Sequence, residues 1–171
     1  MTNVNSYSKK VLEHFRNPHN YGKIKNPSAV GEVGNIVCGD VMYLYIKVTK
    51  NKKGQEIIED IKFETYGCAA AIATSSAVTD LVKGKTVEEA LKVNKDDVIK
   101  TLQGLPSIKI HCSLLAVDAL SEAIYDFFVK EKREIPEDLL KIHERNKKER
   151  EFVEEKNVTW VDAEKKTSKN K

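Results

Sequence analysis

The three cysteines of this chain are the side chains best placed for chemistry, because each lies at the boundary of a predicted element. Cys38 comes just before a strand, Cys68 lies between a strand and a helix, and Cys112 lies between a loop and a helix. A cysteine that serves only as a small apolar packing group has no reason to prefer such corners. Helix N-termini carry partial positive charge and favour thiolate over thiol. Cys68 and Cys112 are therefore placed to react or to bind a metal.

Two neighbouring side chains extend this set. Asp40 follows Cys38 by two residues, so in an extended segment both side chains emerge on the same side. His111 directly precedes Cys112. Each also has an ordinary structural interpretation, Asp40 as a turn residue bonded to its own backbone and His111 as a backbone partner at a helix start. Taken together, thiolates, a carboxylate and an imidazole suit zinc, or an iron-sulfur cluster with one oxygen or nitrogen ligand.

The spacing of the cysteines says more about this site. The sequence contains no Cys-x-x-Cys pair, so the ligands would come together only when three separate segments fold. An odd number of cysteines favours buried thiols, catalytic thiols or metal ligands over a disulfide framework. A site one thiolate short of four holds a cluster less firmly, which suits transfer better than storage.

Hydrophobic periodicity predicts the strands that position these residues. Alternation predicts a strand over 42–48, a turn over 51–54 and a partner strand over 57–65, with a third strand near 32–37. On the partner strand, one face is expected to carry Ile57, Ile61 and Phe63, and the opposite face Ile58, Asp60, Lys62 and Glu64.

Helical patterns and capping residues account for most of the remaining chain. The longest predicted helix starts at Cys112, and its inner stripe is expected to contain Leu114, Val117, Ser121, Ile124 and Phe128. The other helices are predicted over Tyr7–Arg16, over Cys68–Lys83, from the cap Thr86 to about Lys92, from the cap Asn94 to Leu102, and from Pro136 onward.

Charge divides the chain near residue 130. Of the 171 residues, 29 are basic and 26 acidic, and 24 of these charges lie in the last 42 residues. We expect a folded domain over 1–130 and a charged helical extension over 131–171 that is partly disordered from about Thr167, because so charged a segment buries little apolar surface.

The net charge of +3 argues against a nucleic-acid partner. Neither a membrane-spanning run nor a secretory signal is found, so we expect a cytoplasmic protein without a membrane partner.

Three motifs closely resemble those of the IscU/NifU iron-sulfur cluster scaffold family, in the same order. The resemblance covers about residues 6–129, including Tyr7 and Asn17-Pro18, and lacks the insertion between Cys68 and Cys112 that marks the zinc-containing SufU branch. The motifs run over Gly34–Met42, over Tyr66–Ala73 with Ser75-Ser76 following, and over Leu105–Ser113.

This resemblance implies an α+β fold, an antiparallel three-stranded sheet packed on one face by helices, with the site at one end. It implies a non-enzymatic scaffold that assembles a transient [2Fe-2S] cluster from iron and persulfide sulfur and passes it to acceptor apoproteins. Cys38, Cys68 and Cys112 would be ligands, Cys112 would accept the sulfur, and Asp40 or His111 would complete the set. Asp40 would also assist release, and zinc could occupy the cluster-free form.

The implied partners are a cysteine desulfurase, a frataxin-like protein and a ferredoxin, and Tyr7 matches a tyrosine implicated in forming a homodimer. Two departures stand out. The chaperone-recognised loop here is Leu105-Pro106-Ser107-Ile108-Lys109, without the usual two prolines and valine, which makes dependence on an Hsp70-type chaperone doubtful. Ala69 replaces the glycine that commonly follows the second cysteine.

Two other interpretations remain open at this point. In the first, zinc holds the thiolates and Cys112 acts as the nucleophile of a zinc enzyme or zinc-regulated sulfurtransferase. A hydrolytic site would also need a general base, and apart from Asp40 and His111 the sequence offers no clear candidate. In the second, the chain is an interaction module built around its charged tail, with inert cysteines.

Overall fold

The computed structural model describes the backbone of residues 7–34 and 39–168, and side chains within these ranges up to Phe152. The predicted α+β class is confirmed. Three strands and six helices make up this part: α1 (Lys9–Arg16), β1 (Ala29–Gly34), β2 (Val41–Lys50), β3 (Glu56–Tyr66), α2 (Ala69–Val82), α3 (Val87–Ala90), α4 (Lys95–Thr101), α5 (Ile110–Lys130) and α6 (Glu137–Ser168), with a 3-10 turn over Ser107–Lys109 leading into α5.

The sheet is antiparallel and three-stranded, as predicted, and its strand order is β1-β2-β3. Val41 at the start of β2 pairs with Tyr66 at the end of β3. The Thr65 hydroxyl also donates to the Val41 carbonyl oxygen at 2.8 Å. This pairing places the residue before β2, Asp40, beside the junction between β3 and α2.

One face of the sheet is covered by α2 and α5. The approach of α5 is closest at Gly31 in β1, where an added Cβ would lie 2.1 Å from the Ala119 oxygen and 2.5 Å from the Ala123 nitrogen. Glycine is therefore needed at this contact. The side chains buried on this face of the sheet are Ala29, Val33, Met42, Leu44, Ile46, Ile58, Ile61, Phe63 and Thr65.

A β-bulge corrects the predicted facing of β3. Lys47 pairs with Asp60 but Val48 pairs with Ile58, so Glu59 is an extra residue on β3. Because side chains alternate strictly along a strand, one extra residue exchanges the two faces beyond it. Ile58 is therefore fully buried, and its prediction as an outward residue is wrong.

Most predicted helix ends are confirmed. Capping boxes form at Thr86 with Glu89 and at Asn94 with Asp97. The strand predicted near 32–37 is β1, displaced toward the N-terminus, and residues 35–37 lie outside the described residues. The prediction that Leu114 lies on the inner face of α5 is wrong, since this side chain is 40% exposed. Helix α5 turns its small residues toward the sheet instead.

Helix α6 begins one residue after Pro136 and packs against α5. Its apolar contribution is small, as predicted, with Leu139 buried. Most of its other side chains in the first turns are exposed, and polar side chains hold this part of α6 to α5. We call this set the α5–α6 seam: Asp118, Glu122, Tyr125, His143, Arg145 and Asn146. The backbone is helical to Ser168, and residues 169–171 lie outside the described residues. No helix in the described part of the chain is both long and apolar enough to cross a membrane.

Candidate metal and cluster site

Three separate segments meet at one end of the sheet. Asp40 comes just before β2, Cys68 is the N-cap of α2, and Cys112 lies in the first turn of α5. One ligand atom from each, a carboxylate oxygen and two sulfurs, lies within 4.8 Å of the other two. We call these residues the thiol site. The tertiary fold thus brings together side chains that are separated by 28 and 44 positions in the sequence.

The two cysteines of this site are not joined by a disulfide. Their sulfur atoms are 3.8 Å apart, far beyond the S–S bond length of about 2.0 Å. Cys112 is fully buried and Cys68 is half-buried. A pair of sulfurs at this separation can both reach one metal ion or one cluster without forming a disulfide.

Asp40 is the most informative member of the thiol site. Its side chain is buried, 6% exposed, and Oδ2 has no hydrogen-bond partner among the described residues. Buried polar atoms in folded proteins nearly always have a partner, since an unpaired one destabilises the protein. An unpartnered carboxylate oxygen within reach of two thiols therefore indicates a cation-binding group.

Gly67 creates the space that this carboxylate occupies. A Cβ at Gly67 would lie 3.0 Å from the Asp40 Cγ, 3.1 Å from its Oδ2 and 2.9 Å from the Ala71 Cβ. Any larger residue would have to displace the carboxylate or α2. Sequence reasoning noted Gly67 only as part of a motif. The available signal was a glycine between a strand and the N-cap of a helix, which fits close backbone approach.

The surroundings of the thiol site are electropositive. The N-termini of α2 and α5 both point toward it, which favours anionic ligands. Lys109 Nζ lies 3.8 Å from the Cys68 sulfur. Tyr7 is also near: burial raises the pKa of its hydroxyl, Cys68 and Cys112 raise it further, and Lys109 acts in the opposite direction.

Hydrogen bonds from α2 fix the start of α5. The Thr74 hydroxyl lies 3.1 Å from the carbonyl oxygens of both Ala71 and Cys112. The neighbouring Ser75 hydroxyl donates to the Ala71 carbonyl oxygen at 2.6 Å. The helix that carries Cys68 at its N-cap is thus bonded to the backbone of Cys112, which sets the separation of the two thiols.

The remaining predicted residues stand apart from this group. Cys38 lies outside the described residues, so its role stays a prediction. His111 is half-buried in the first turn of α5. Among the described residues, the group formed around the two thiols contains Asp40 and does not contain His111. The choice of His111 as a ligand therefore also stays a prediction.

Comparison with known proteins gives the family. The family model described as the NifU-like N terminal domain matches residues 6–134. The chain belongs to this family. The predicted resemblance is confirmed, and its boundary falls close to the start of the charged extension.

The most similar relatives are named scaffold proteins. Iron-sulfur cluster assembly scaffold protein IscU 1 of Archaeoglobus fulgidus is 60% identical over 124 residues, which cover 72% of this chain and 78% of that protein. The scaffold protein IscU of Aquifex aeolicus is 42% identical over 155 residues, or 91% of this chain and 96% of that protein. This second alignment is longer than the family match and therefore includes part of the charged extension.

A solved structure supports the same fold. A candidate iron-sulfur cluster assembly scaffold protein for the SUF system from Fervidobacterium islandicum AW-1 superimposes with a TM-score of 0.53 at 25% identity. The superposition covers 69% of this chain and 96% of that protein. The three-stranded sheet with helices is therefore an established architecture of iron-sulfur scaffold proteins.

Proposed function

We propose that this chain is a scaffold on which an iron-sulfur cluster is assembled and from which it is transferred to acceptor apoproteins. The observation that carries the proposal is the buried carboxylate of Asp40, whose Oδ2 is unpartnered among the described residues and which is grouped with the thiols of Cys68 and Cys112. The names of the relatives support the same function. The cluster is cargo in this scheme, so the protein is a carrier rather than a catalyst.

We propose a [2Fe-2S] cluster with Cys38, Cys68 and Cys112 as thiolate ligands. Asp40 is the preferred fourth ligand because its oxygen lies in the thiol site, with His111 as the alternative. A carboxylate oxygen is a harder ligand than thiolate and exchanges more readily, which favours release of the cluster. The same set accepts Zn²⁺, which we propose as an occupant of the cluster-free protein.

Sulfur would enter as a persulfide carried by a cysteine desulfurase. The Cys112 thiolate attacks the terminal sulfur of that persulfide, so a new S–S bond forms on Cys112 and the donor cysteine leaves as a thiolate. Reduction of this sulfur to sulfide needs electrons. Oxidation of Fe²⁺ to Fe³⁺ supplies part of them, and a ferredoxin-type donor supplies the remainder.

The other predicted features are proposals of the same kind. We propose that residues 1–130 form the scaffold domain and that 131–171 are an extension, that a frataxin-like protein takes part in assembly, and that a homodimer can form. Dependence on an Hsp70-type chaperone is not part of the proposal. A cytoplasmic location is supported by Cys68 and Cys112 in their thiol form, without a disulfide, as is usual in a reducing compartment.

Anaerobic reconstitution tests this function. The full chain is incubated with desulfurase, Fe²⁺, cysteine and a reduced ferredoxin-type electron donor, and sulfur-to-iron charge-transfer absorption is followed in the visible range. We expect a coloured product that is lost in Cys112→Ala and retained in Ser113→Ala, a neighbour in the same turn whose hydroxyl bonds the Ile110 carbonyl oxygen. A colourless wild-type product, with iron and sulfide absent on analysis, would contradict the proposal.

A second measurement separates the scaffold from a zinc sulfurtransferase. If zinc-loaded protein turns over persulfide sulfur while iron is never incorporated, the alternative function is supported instead.

The role of Asp40 in release has its own readout, the half-time of cluster transfer to an apo-ferredoxin. We expect a longer half-time in Asp40→Ala, and an unchanged half-time would remove this role.

A further inference from the structure

A second group of metal-ligating side chains lies outside the thiol site. His14 at the end of α1, His19 in the turn that follows, and Asp80 in α2 each place one ligand atom within 4.8 Å of the other two. We call these residues the histidine cluster. Asp80 follows Cys68 by twelve positions along one helix, a rise of about 18 Å, so the two sites are separate.

We propose that the histidine cluster is a second metal site, which binds a divalent first-row transition-metal ion of the zinc type. Two imidazoles and one carboxylate are a donor set that Zn²⁺ accepts in proteins, with positions left for water. The proposal concerns the metal alone and does not depend on the function proposed for the thiol site.

His14 is held in the orientation that a ligand needs. Its side chain is buried, 5% exposed, and Nδ1 lies 2.8 Å from the Ser76 hydroxyl. The same hydroxyl accepts the backbone N–H of His19 at 2.8 Å. Histidines that bind metals typically use one ring nitrogen for the metal and bond the other to a neighbouring group. The Ser76 hydroxyl at Nδ1 would serve as such a neighbouring group and fix the orientation of the His14 ring.

The protonation state of His14 agrees with this role. Burial lowers the pKa of its imidazole, and the nearby His19 lowers it further, while Asp80 acts in the opposite direction. A metal ligand must be the neutral imidazole, so these surroundings disfavour the form that could not bind.

His19 and Asp80 form the exposed side of the site. His19 Nδ1 lies 2.6 Å from Asp80 Oδ2, and both side chains are exposed, by 43% and 38%. Two ligands on one tetrahedral Zn²⁺ with bonds of about 2.0 Å stand roughly 3.3 Å apart. The pair must therefore open by less than about 1 Å. The proton on Nδ1 leaves to solvent or moves to Nε2 as the ion replaces it.

The fold positions this cluster from two directions. Ser76 and Asp80 are four residues apart and share one face of α2. The Asn20 amide donates to Asp80 Oδ1 at 3.2 Å and to the Thr79 hydroxyl at 3.0 Å, which ties the turn after α1 to α2. A bound ion would add a further connection that joins α1 and this turn to α2.

Cobalt titration of the full chain tests the proposal, because Co²⁺ reports the ligand type. Thiolate ligands give an intense near-ultraviolet charge-transfer band, whereas imidazole and carboxylate ligands give weak visible bands only. We expect about two equivalents bound in the wild type. In His19→Gln and in Asp80→Asn, about one equivalent remains and the thiolate band is unchanged. Zn²⁺ competition against a chromophoric chelator should give the same stoichiometries.

Two further variants complete the design. Ser76→Ala should weaken the second equivalent about tenfold while leaving the first unchanged, as expected for a group that orients a ligand. His143→Gln removes a histidine of the α5–α6 seam and should retain both equivalents. His14 is buried, so the exposed His19 and Asp80 keep the test valid even if His14→Gln fails to fold.

Two outcomes would overturn the proposal. One is a wild-type titration in which every bound equivalent carries the thiolate band. The other is a second equivalent that survives in both His19→Gln and Asp80→Asn. A wild-type titration that shows the weak visible bands but no thiolate band would instead be a failure of the thiol site alone, so the two proposals can fail independently.

Discussion

Asp40 and Glu122 are both buried carboxylates, 6% and 5% exposed, but their surroundings are opposite. Both oxygens of Glu122 have partners, His143 Nδ1 and Asn146 Nδ2, each at 2.9 Å. Asp40 Oδ2 has none among the described residues. A buried polar group whose bonds are all made within the protein fixes structure. One left without a partner next to two thiols is available to something that comes from outside.

The rest of the α5–α6 seam follows the same principle as Glu122. Arg145 donates to Asp118 Oδ1 at 2.6 Å, and the rings of Tyr125 and His143 stack with their centroids 3.8 Å apart. A helix with so few apolar residues docks because its polar groups find partners and exclude water. The seam therefore has a structural role, whereas the thiol site carries the function that we propose.

The largest expected effect comes from Glu122→Ala. The change leaves the buried Asn146 amide without its acceptor and creates a cavity, which together should lower the free energy of unfolding by about 4 kcal/mol. Chemical denaturation measures this difference. Glu144→Ala, a change at an exposed residue of α6, is the control and should change stability by less than about 0.5 kcal/mol. An equally small change for Glu122→Ala would break the comparison.

The pH dependence of the seam should be nearly as large. Burial raises the pKa of Asp118 from 3.8 to about 6 despite the opposing effect of Arg145. A folded-state pKa above the unfolded value means that the folded state binds the proton more tightly, so this contribution to stability is present below about pH 4 and lost as pH rises to about 6. Titration of Asp118 should therefore lower the free energy of unfolding by about 3 kcal/mol over this pH range.

Denaturation of wild type and Asp118→Asn between pH 4 and pH 7 isolates this contribution. The wild type should lose stability relative to the variant over this range and show no further relative change above about pH 7. Other carboxylates titrate equally in both proteins and cancel in the difference. Parallel curves for the two proteins would show that Asp118 does not titrate in this way.

At the thiol site, the sign of the carboxylate effect should be reversed. Asp40→Ala removes a buried oxygen that has no partner among the described residues, so the metal-free protein should gain about 2 kcal/mol of stability. The same change should weaken Zn²⁺ binding, since one ligand is lost. Thermal denaturation with and without Zn²⁺ measures both effects. A destabilised metal-free variant would place Asp40 in the same structural class as Glu122.

The smallest effect should be the coupling between Gly67 and Asp40. Gly67→Ala brings a Cβ to 3.0 Å from the Asp40 Cγ and 2.9 Å from the Ala71 Cβ, which should destabilise the protein by about 2 kcal/mol. In the Asp40→Ala background only the Ala71 contact remains. The double-mutant cycle should therefore show a coupling energy of about 1 kcal/mol. Additive effects would mean that Gly67 does not seat the carboxylate.

The correct sequence predictions rest on local rules. The capping boxes at Thr86 and Asn94, the helix start at Cys68 and the alternation of β2 all depend on residues a few positions apart. The family motifs also named five candidate ligands, of which the structure groups Asp40, Cys68 and Cys112, while the roles of Cys38 and His111 stay predictions. The helix caps, the helix start and the strand alternation were predicted because local hydrogen bonding and periodicity decide them.

The errors and omissions arise where distant segments meet. The bulge that buries Ile58 depends on pairing between β2 and β3. The docking of α6 depends on acceptors that α5 supplies, and the histidine cluster joins two helices whose sequences show no spacing pattern between them. The sequence alone therefore determined which side chains have the chemistry to bind a metal. The tertiary structure decided which of them lie together and whether each buried charge has a partner, because these properties arise from contacts between segments far apart in the chain.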